Sequence, residues 1–281
     1  MSGKLVICPT PLGNLGDMTP RALDALCAVD VVCAEDTRVT GKLLAALGVE
    51  GKRLERLDEN IIGERVVEIV ARVARGEVIA YCTDAGMPGV SDPGLRLVRA
   101  AREADVPVEV LPGPTAVATA YVASGTPASA FYFGGFFPRK AKARVEALEQ
   151  LRSLEAALVF YESPKRLVAA LEAVADAFPK RTVTVCRELT KLHEEVVRGL
   201  APQVLADFAA RDAVKGEIVI VIDPPTDNER EVDFDDVKAR AVELASQGER
   251  PKTIVKQLVA EFGISRNEAY DLAVDAKNDV Q

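Results

Sequence analysis

Strand-like apolar runs recur along the first 222 residues, and segments with a helical period separate most of them. The runs cover residues 4–8, 30–34, 77–82, 106–111, 130–136, 156–161, 181–186 and 216–222. Helical spacing of apolar residues is clearest over 21–29 and 166–178. Strands that alternate with helices are typical of α/β units on a largely parallel sheet. No helical segment separates 181–186 from 193–199, so we expect a mixed sheet in the second half.

The chain changes character after residue 222, where a Pro-rich, acidic linker (223–231) precedes helical segments only. These segments are 237–246, 251–263 and 265–277, an order that resembles a helix-turn-helix. Gly263 fits a helix C′ position, and Ser265 with Glu268 fits a capping box. A Pro/Gly hinge at 111–116 marks a second boundary. We therefore predict an N-terminal α/β domain (1–112), a second α/β domain (113–226), and a linker with a helical tail domain (227–281).

Composition restricts the class of protein. The chain has 281 residues, of which 48% are hydrophobic and 28% charged, as in ordinary globular proteins. It has no apolar run of membrane-spanning length, no signal-like N-terminus and no C-x-x-C spacing, so we expect a cytoplasmic protein with reduced thiols and no membrane partner. The net charge of −8 does not by itself suggest a nucleic-acid binder.

Loops rich in glycine and proline follow three of the strand-like runs, at 9–20, 83–94 and 111–116. Glycine allows a ligand to approach the backbone, proline holds the loop shape, and ligands of such sheets bind beyond the carboxyl ends of strands. Any one loop could be only a stiff connection, but three together favour a binding site. Helix starts are expected at Pro20 after the N-cap Thr19, and at Pro93 after Ser91 or Asp92.

Several familiar sites are absent from the sequence. It has no G-x-G-x-x-G and no G-x-x-x-x-G-K-[ST] motif, which argues against dinucleotide and P-loop sites. A single histidine makes Ser-His-Asp or Cys-His catalysis improbable, and we expect no metal.

An ordered set of motifs carries a family resemblance: "TPLGNLGDMTPRAL", "AEDTRVTGKLL" (34–44), "TDAGMPGVSDPG" (83–94), "LPGPTA", "GFFPRK" (135–140), "YESPKR" (161–166) and "CRELTKLHEE" (186–195). Over residues 4–222 this set resembles the tetrapyrrole-methylase superfamily and, within it, the branch that methylates a cytidine 2′-hydroxyl of 16S rRNA. The resemblance implies two α/β domains enclosing a cofactor cleft, S-adenosylmethionine as cofactor, the small ribosomal subunit as partner, and a homodimer. The chain departs from that branch at Glu59 and Lys165, where the branch commonly has histidine.

The resemblance also implies which residues form the site. Those expected to line the cofactor are Pro11, Gly13, Asp84, Ala85, Gly86, Met87, Thr115 and Ala116 and, from the second domain, Phe160, Tyr161 and Gly216. Candidates for orienting and deprotonating the ribose hydroxyl are Glu35, Asp36, Arg38, Glu188 and Lys191. The sequence does not choose among them, since Asp36 is equally suited to cap a helix and 187–191 could be a salt-bridged strand end.

RNA binding needs cations, which are dense only locally, at Arg139, Lys140, Lys142 and Arg144 with Lys165 and Arg166. A solvated helix face is the alternative interpretation of this cluster. The last helix, 266–281, has four acids and two bases, so we expect the tail to contact the body or a protein rather than nucleic acid. Two alternative functions stay open: methylation of a tetrapyrrole of the precorrin type, or a non-catalytic RNA-binding assembly factor.

Overall fold

The computed structural model describes residues 3–225, 234–262, 264 and 266–279. The first half contains β1 (Lys4–Ile7), α1 (Pro20–Ala28), β2 (Val31–Ala34), α2 (Thr37–Ala46), β3 (Arg53–Arg56), α3 (Ile62–Ala74), β4 (Val78–Cys82), α4 (Gly94–Glu103) and β5 (Val108–Val110). The second half contains α5 (Ala116–Ser124), β6 (Phe131–Phe136), α6 (Ala141–Gln150), β7 (Ala157–Glu162), α7 (Leu167–Ala177), β8 (Thr182–Arg187), β9 (Glu195–Leu200), α8 (Ala201–Ala209) and β10 (Ile218–Ile222). The tail contains α9 (Phe234–Ser246), α10 (Pro251–Phe262) and α11 (Arg266–Asp279). In these described ranges no helix is long and apolar enough to cross a membrane.

Contacts divide the chain into two compact units. One comprises the residues up to Val145 together with Ala156–Asp223, and the other comprises Glu146–Glu155 and the residues from Pro224 on. The predicted boundary between residues 112 and 113 falls between β5 and α5, and the one between 226 and 227 lies outside the described residues. Both boundaries stay predictions.

The first sheet is parallel throughout, in the order β3-β2-β4-β1-β5. Its two faces are covered by different helices: buried residues of α1 and α2 pack on one face, and those of α3 and α4 on the other. The chain moves outward from β1 in both directions, so a switch point lies between β1 and β4. The loops that leave these two strands therefore lie side by side at the carboxyl edge.

Two details of this sheet differ from the sequence predictions. β3 was not predicted, because "RLER" has no apolar run; as an edge strand it carries charged side chains, and its Glu55 binds Arg72 at 2.8 Å. Helix α4 begins at Gly94 rather than Pro93, because the Asp92 carboxylate accepts the backbone N–H of Gly94 at 2.7 Å and holds the preceding turn. The predicted cap of α1 is confirmed, since the Thr19 hydroxyl accepts the N–H of Ala22 at 3.2 Å.

The second sheet has the order β6-β7-β10-β8-β9. Only β6 and β7 are parallel; the other pairs are antiparallel, which confirms the predicted mixed sheet. Helix α5 packs on one face through Val117 and Ala120, and α7 packs against α8. The tail helices enclose an aliphatic core of their own, which includes Val237, Leu244, Ile254 and Leu258.

Candidate functional site

A cavity of about 420 Å³ lies in the first unit, where the carboxyl-edge loops of the first sheet meet strands of the second. Its volume is within the range of small-molecule sites, roughly 300–1,000 Å³. The first sheet contributes Leu12 after β1, Glu35 after β2, and residues 84–87 and 90–92 after β4. Thr115 and Ala116 at the start of α5 complete this side of the cavity.

Backbone contacts hold the loops of the first sheet together. The backbone N–H of Thr10 donates to the carbonyl oxygen of Gly86 at 3.0 Å, and the Gly86 N–H donates to the Thr10 carbonyl at 3.1 Å. Gly86 has a φ of +82°, and a Cβ there would lie 2.9 Å from Cδ2 of Leu12. A side chain at residue 86 would therefore be strained and would push into the cavity wall. The loops form a stiff floor because backbone bonds between Thr10 and Gly86 join them and the Asp92 carboxylate accepts the backbone N–H groups of Gly89, Val90 and Gly94.

The second sheet contributes side chains to the opposite wall. Tyr161 of β7 faces the cavity and makes edge contacts with Phe133 and Phe136, with ring centroids 4.9 and 5.5 Å apart. Burial raises the pKa of the Tyr161 hydroxyl to about 12, with smaller contributions from Asp92 and Glu217. The tyrosine is therefore neutral at physiological pH and presents an aromatic surface.

The described residues of the cavity wall include five carboxylates and no cation: Glu35, Asp84, Asp92, Glu162 and Glu217. Burial raises the pKa of the Glu35 carboxyl, and the charges of Asp84 and Asp92 add to the effect. Burial also raises the pKa of Asp84; the charge of Asp36 adds to this effect, although the hydrogen bond from the Asp36 backbone N–H opposes it. Glu162 is paired with Arg166 at 2.6 Å and Glu217 with Lys191 at 3.2 Å, so Glu35, Asp84 and Asp92 are the carboxylates that make the cavity anionic and favour a positively charged ligand.

Two other catalytic candidates, Asp36 and Arg38, lie in a polar depression beside the cavity, which Glu35 also lines. The Asp36 carboxylate accepts the N–H of Arg38 at 2.8 Å and so caps α2; it also pairs with the Arg38 guanidinium at 2.6 Å. These bonds from Arg38 hold the pKa of Asp36 well below its usual range. Asp36 is therefore a helix cap in an ion pair, and a poor proton acceptor.

The last two candidates, Glu188 and Lys191, pair with each other, with Nζ 2.9 Å from Oε1. The bond from Lys191 lowers the pKa of Glu188, although burial opposes it. The Lys191 stem covers Gly13, where a Cβ would lie 2.5 Å from Cγ of Lys191, and Glu188 covers Gly216 in the same way, at 2.4 Å. Lys191 thus packs on the loop that contains Gly13, and Glu188 packs on the segment that contains Gly216.

The cations predicted to bind RNA separate into two groups. Arg139 and Arg166 line a depression of about 610 Å³, together with Phe136, Phe137, Pro138 and Ser163. Phe136 and Ser163 also line the first cavity, so the two spaces adjoin. Lys140, Lys142 and Lys165 are exposed, Arg144 is half-buried, and none of these four lines the depression.

Comparisons with known proteins support the family assignment. Residues 4–205 match the family model described as tetrapyrrole (corrin/porphyrin) methylases. The chain belongs to the tetrapyrrole methylase family. Among curated relatives, the ribosomal RNA small subunit methyltransferase I of Mycobacterium tuberculosis is 40% identical over 99% of this chain and 97% of its own. The protein of the same name from Escherichia coli O157:H7 is 38% identical over 97% of this chain and 95% of its own.

Solved structures agree on the fold. The methyltransferase CobJ superposes with a TM-score of 0.62 at 18% identity, and the match covers 80% of this chain and 100% of the CobJ chain. Diphthine synthase gives the same TM-score of 0.62 at 15% identity, covering 78% of this chain and 90% of its own. Membership of the tetrapyrrole methylases makes the chain a methyltransferase and confirms S-adenosylmethionine as its cofactor.

The residues of the cavity fit the cofactor of a tetrapyrrole methylase. S-adenosylmethionine has a net positive charge, from a sulfonium and an ammonium against one carboxylate, which suits the anionic wall. Most residues predicted to line it are at the cavity: Asp84, Ala85, Gly86, Met87, Thr115, Ala116, Tyr161 and Gly216. Their role in binding stays a prediction.

Three of the predicted cofactor residues do not line the cavity. Pro11 is buried beside Leu12, which takes its place, and Gly13 lies under Lys191. Phe160 points to the opposite face of β7 from Tyr161, as neighbours in a strand do, and packs on Phe137 at a centroid distance of 4.8 Å. Residues that sequence reasoning missed include Ser91, Phe136, Glu162 and Glu217. The first three stand inside motifs that carried the family resemblance, but only the tertiary structure selects them.

No group of three or more His, Cys, Asp or Glu residues in the described chain could hold a metal ion.

Proposed function

We propose that this chain transfers a methyl group from S-adenosylmethionine to the 2′-hydroxyl of a cytidine ribose in 16S rRNA of the small ribosomal subunit. The names of its relatives support an rRNA substrate, and the motif resemblance supports the ribose of a cytidine. The structural observation that carries the proposal is Glu35. It has a raised pKa and stands where the anionic cavity meets a separate polar depression.

The wall of the cavity would hold the donor, S-adenosylmethionine, which supplies an electrophilic methyl group. Positive charge leaves the sulfur during transfer, so a carboxylate against the sulfur would stabilise the ground state more than the transition state. We therefore assign the anionic wall to binding the cationic donor and releasing the neutral product. The rigid loops orient the donor, and such positioning can lower a barrier by roughly 7–11 kcal/mol at best.

The acceptor hydroxyl must lose its proton, and Glu35 is the candidate best placed to accept it. Asp36 and Glu188 are held in ion pairs that lower their pKa, so both are weak bases. Glu35 alone among the five predicted catalytic residues lines the cavity, and burial raises its pKa toward the range of an effective base. This makes the histidines replaced by Glu59 and Lys165 unnecessary as bases.

The depression formed by Phe136, Arg139 and Arg166 would receive the RNA. Arg139 is exposed and suits a phosphate, whereas Arg166 is paired with Glu162 at 2.6 Å. The ring of Phe136, 59% exposed, suits stacking against a base. RNA phosphates are disfavoured in the anionic cavity itself, so only the neutral ribose edge would reach Glu35.

We also propose that the protein is a homodimer, which light scattering can test.

Isotopic methyl transfer to small ribosomal subunits from a strain that lacks this modification tests the proposal. We expect label in 16S rRNA, recovered in an alkali-resistant dinucleotide that begins with cytidine, because a 2′-O-methyl group blocks alkaline cleavage. Label in an alkali-sensitive mononucleotide would mean base methylation and would contradict the ribose assignment. Transfer to a uroporphyrinogen acceptor instead of RNA would favour the tetrapyrrole alternative, and no transfer at all would favour the assembly factor.

A further inference from the structure

The helical tail has a groove of about 920 Å³ between α10 and α11. Helix α10 provides the apolar floor through Val255 and Val259, and α11 provides Asn267 and Tyr270. The tail encloses its own aliphatic core, so this groove is a surface feature of a packed three-helix unit. The predicted function gives it no role.

Three cations line one side of the groove: Arg250, Lys252 and Lys256. All are exposed, and none forms an ion pair with any residue in the described part of the chain. Lys252 and Lys256 are four residues apart on α10 and so share a face. The carbonyl of Arg250 accepts the N–H of Thr253 at 2.8 Å and that of Ile254 at 3.0 Å, which places Arg250 at the N-terminal cap. The positive end of the helix dipole adds to the charge of the side chains there.

Arg240 of α9 shows what a neutralised tail cation looks like. Its guanidinium binds Glu243 at 2.7 Å and Glu261 at 2.9 Å. Glu243 and Glu261 are thus engaged away from the groove, and the described residues that line the groove include no carboxylate. The tail therefore has one positively charged surface, although its net charge is negative.

An aromatic ring stands beside these cations. Tyr270 is 58% exposed, which is unusual for an aromatic side chain next to an apolar floor. Cations that follow a strand of phosphates, with an aromatic side chain on which a base stacks, are the combination that binds single-stranded nucleic acid.

We propose that this α10–α11 groove binds a single-stranded segment of the RNA substrate, with phosphates on Arg250, Lys252 and Lys256 and a base on Tyr270. The inference rests on the proposed function for its substrate class. It replaces the expectation that the tail contacts the body or a protein rather than nucleic acid. The groove would anchor RNA independently of the catalytic cavity, and it reads shape and charge rather than sequence.

Binding of a fluorescent oligouridylate to the full chain, measured over a series of salt concentrations, tests the groove. For a triple variant, Arg250→Ala with Lys252→Ala and Lys256→Ala, we expect the slope of log K against log salt to fall by about 2, near 0.7 for each lost phosphate contact to a single strand. Lys256→Glu should weaken binding, and Lys238→Glu is its matched control, because Lys238 is an exposed lysine on α9 outside the groove. Tyr270→Ala should weaken binding about tenfold, while Tyr270→Phe keeps the ring and should bind as the wild type does.

Separate measurements distinguish failure of this inference from failure of the proposed function. All variants should retain S-adenosylmethionine affinity, since the changed side chains are exposed on the tail. If the wild type methylates subunits but the triple variant binds oligouridylate with an unchanged salt slope, the groove proposal is wrong and the function stands. If the triple variant methylates subunits poorly yet binds oligouridylate normally, the groove contacts a ribosomal protein, which also overturns the proposal. A wild type that neither binds RNA nor transfers methyl groups would reject the proposed function itself.

Discussion

The two sheets of the first unit build opposite walls of one cavity by different means. The first sheet contributes mainly loop backbone, held by the paired hydrogen bonds between Thr10 and Gly86, to which Glu35, Asp84 and Asp92 add carboxylates. The second contributes side chains, among them Tyr161 and Phe136. Backbone is fixed by the fold, whereas side chains change with single substitutions. We infer that the first wall sets the position of the donor, which is common to the family, and that Phe136 of the second wall, which also lines the adjoining depression, contacts the acceptor.

The backbone wall should be the more sensitive to a single change. Gly86→Val would place a β-branched side chain at a φ of +82°, 2.9 Å from Leu12 at the cavity wall. We expect S-adenosylmethionine affinity measured by calorimetry to fall at least about 100-fold, equivalent to roughly 2.8 kcal/mol. Circular dichroism should show that the fold persists.

Gly48→Val is the matched control for Gly86→Val. Gly48 has a φ of +71° and nothing within 4 Å of a Cβ, so it carries the same backbone strain, on the order of 1–2 kcal/mol, without reaching the cavity. Unchanged cofactor affinity in Gly86→Val, or an equal loss in Gly48→Val, would remove the loop from the donor site.

Glu35 lines both the cavity and the adjoining polar depression, and its substitution should separate catalysis from binding. Glu35→Gln should lower the rate of methyl transfer by about 10²–10⁴-fold, the usual contribution of a general base, with S-adenosylmethionine affinity retained. Asp36→Asn is the control, since asparagine can still cap α2 and Asp36 is assigned no proton transfer. A rate loss in Asp36→Asn but not in Glu35→Gln would show that Asp36, and not Glu35, is the base.

The raised pKa of Glu35 also implies that stability depends on pH in a definite direction. A carboxyl whose pKa is higher in the folded chain than in the unfolded chain destabilises the fold at pH values above its folded pKa, where it is charged, and this cost disappears as the pH falls through that value. Glu35→Gln should therefore raise the Tm at neutral pH, and the gain should shrink on acidification. The wild-type rate should decline over the same acidic range. A Tm gain that does not depend on pH would contradict the assignment.

The sequence predicts the backbone wall better than the side-chain wall, for a physical reason. Glycine and proline at 83–94 determine local conformation, so a single stretch of sequence identifies the loop. The choice between Phe160 and Tyr161 depends instead on the register of β7 against β10, which no local pattern reports. β3 lacks an apolar run because its charges pair with α3. The sequence does not reveal the cationic groove of the tail, because its three cations are averaged with the acidic residues of the same segment, none of which lines the groove in the described chain.

The smallest expected effect concerns the acceptor side, where a single cation shares its role with others. Arg139→Ala removes one guanidinium from the depression next to Phe136 without touching the donor loops. We expect the slope of log K against log salt for subunit binding to fall by about 1, with a loss of affinity of a few fold and no change in S-adenosylmethionine binding. Lys180→Ala is the control, since Lys180 is an exposed cation outside the depression. Equal slopes for the two variants would mean that Arg139 belongs to a solvated face. A loss of cofactor affinity in Arg139→Ala would instead show that the two walls do not act separately.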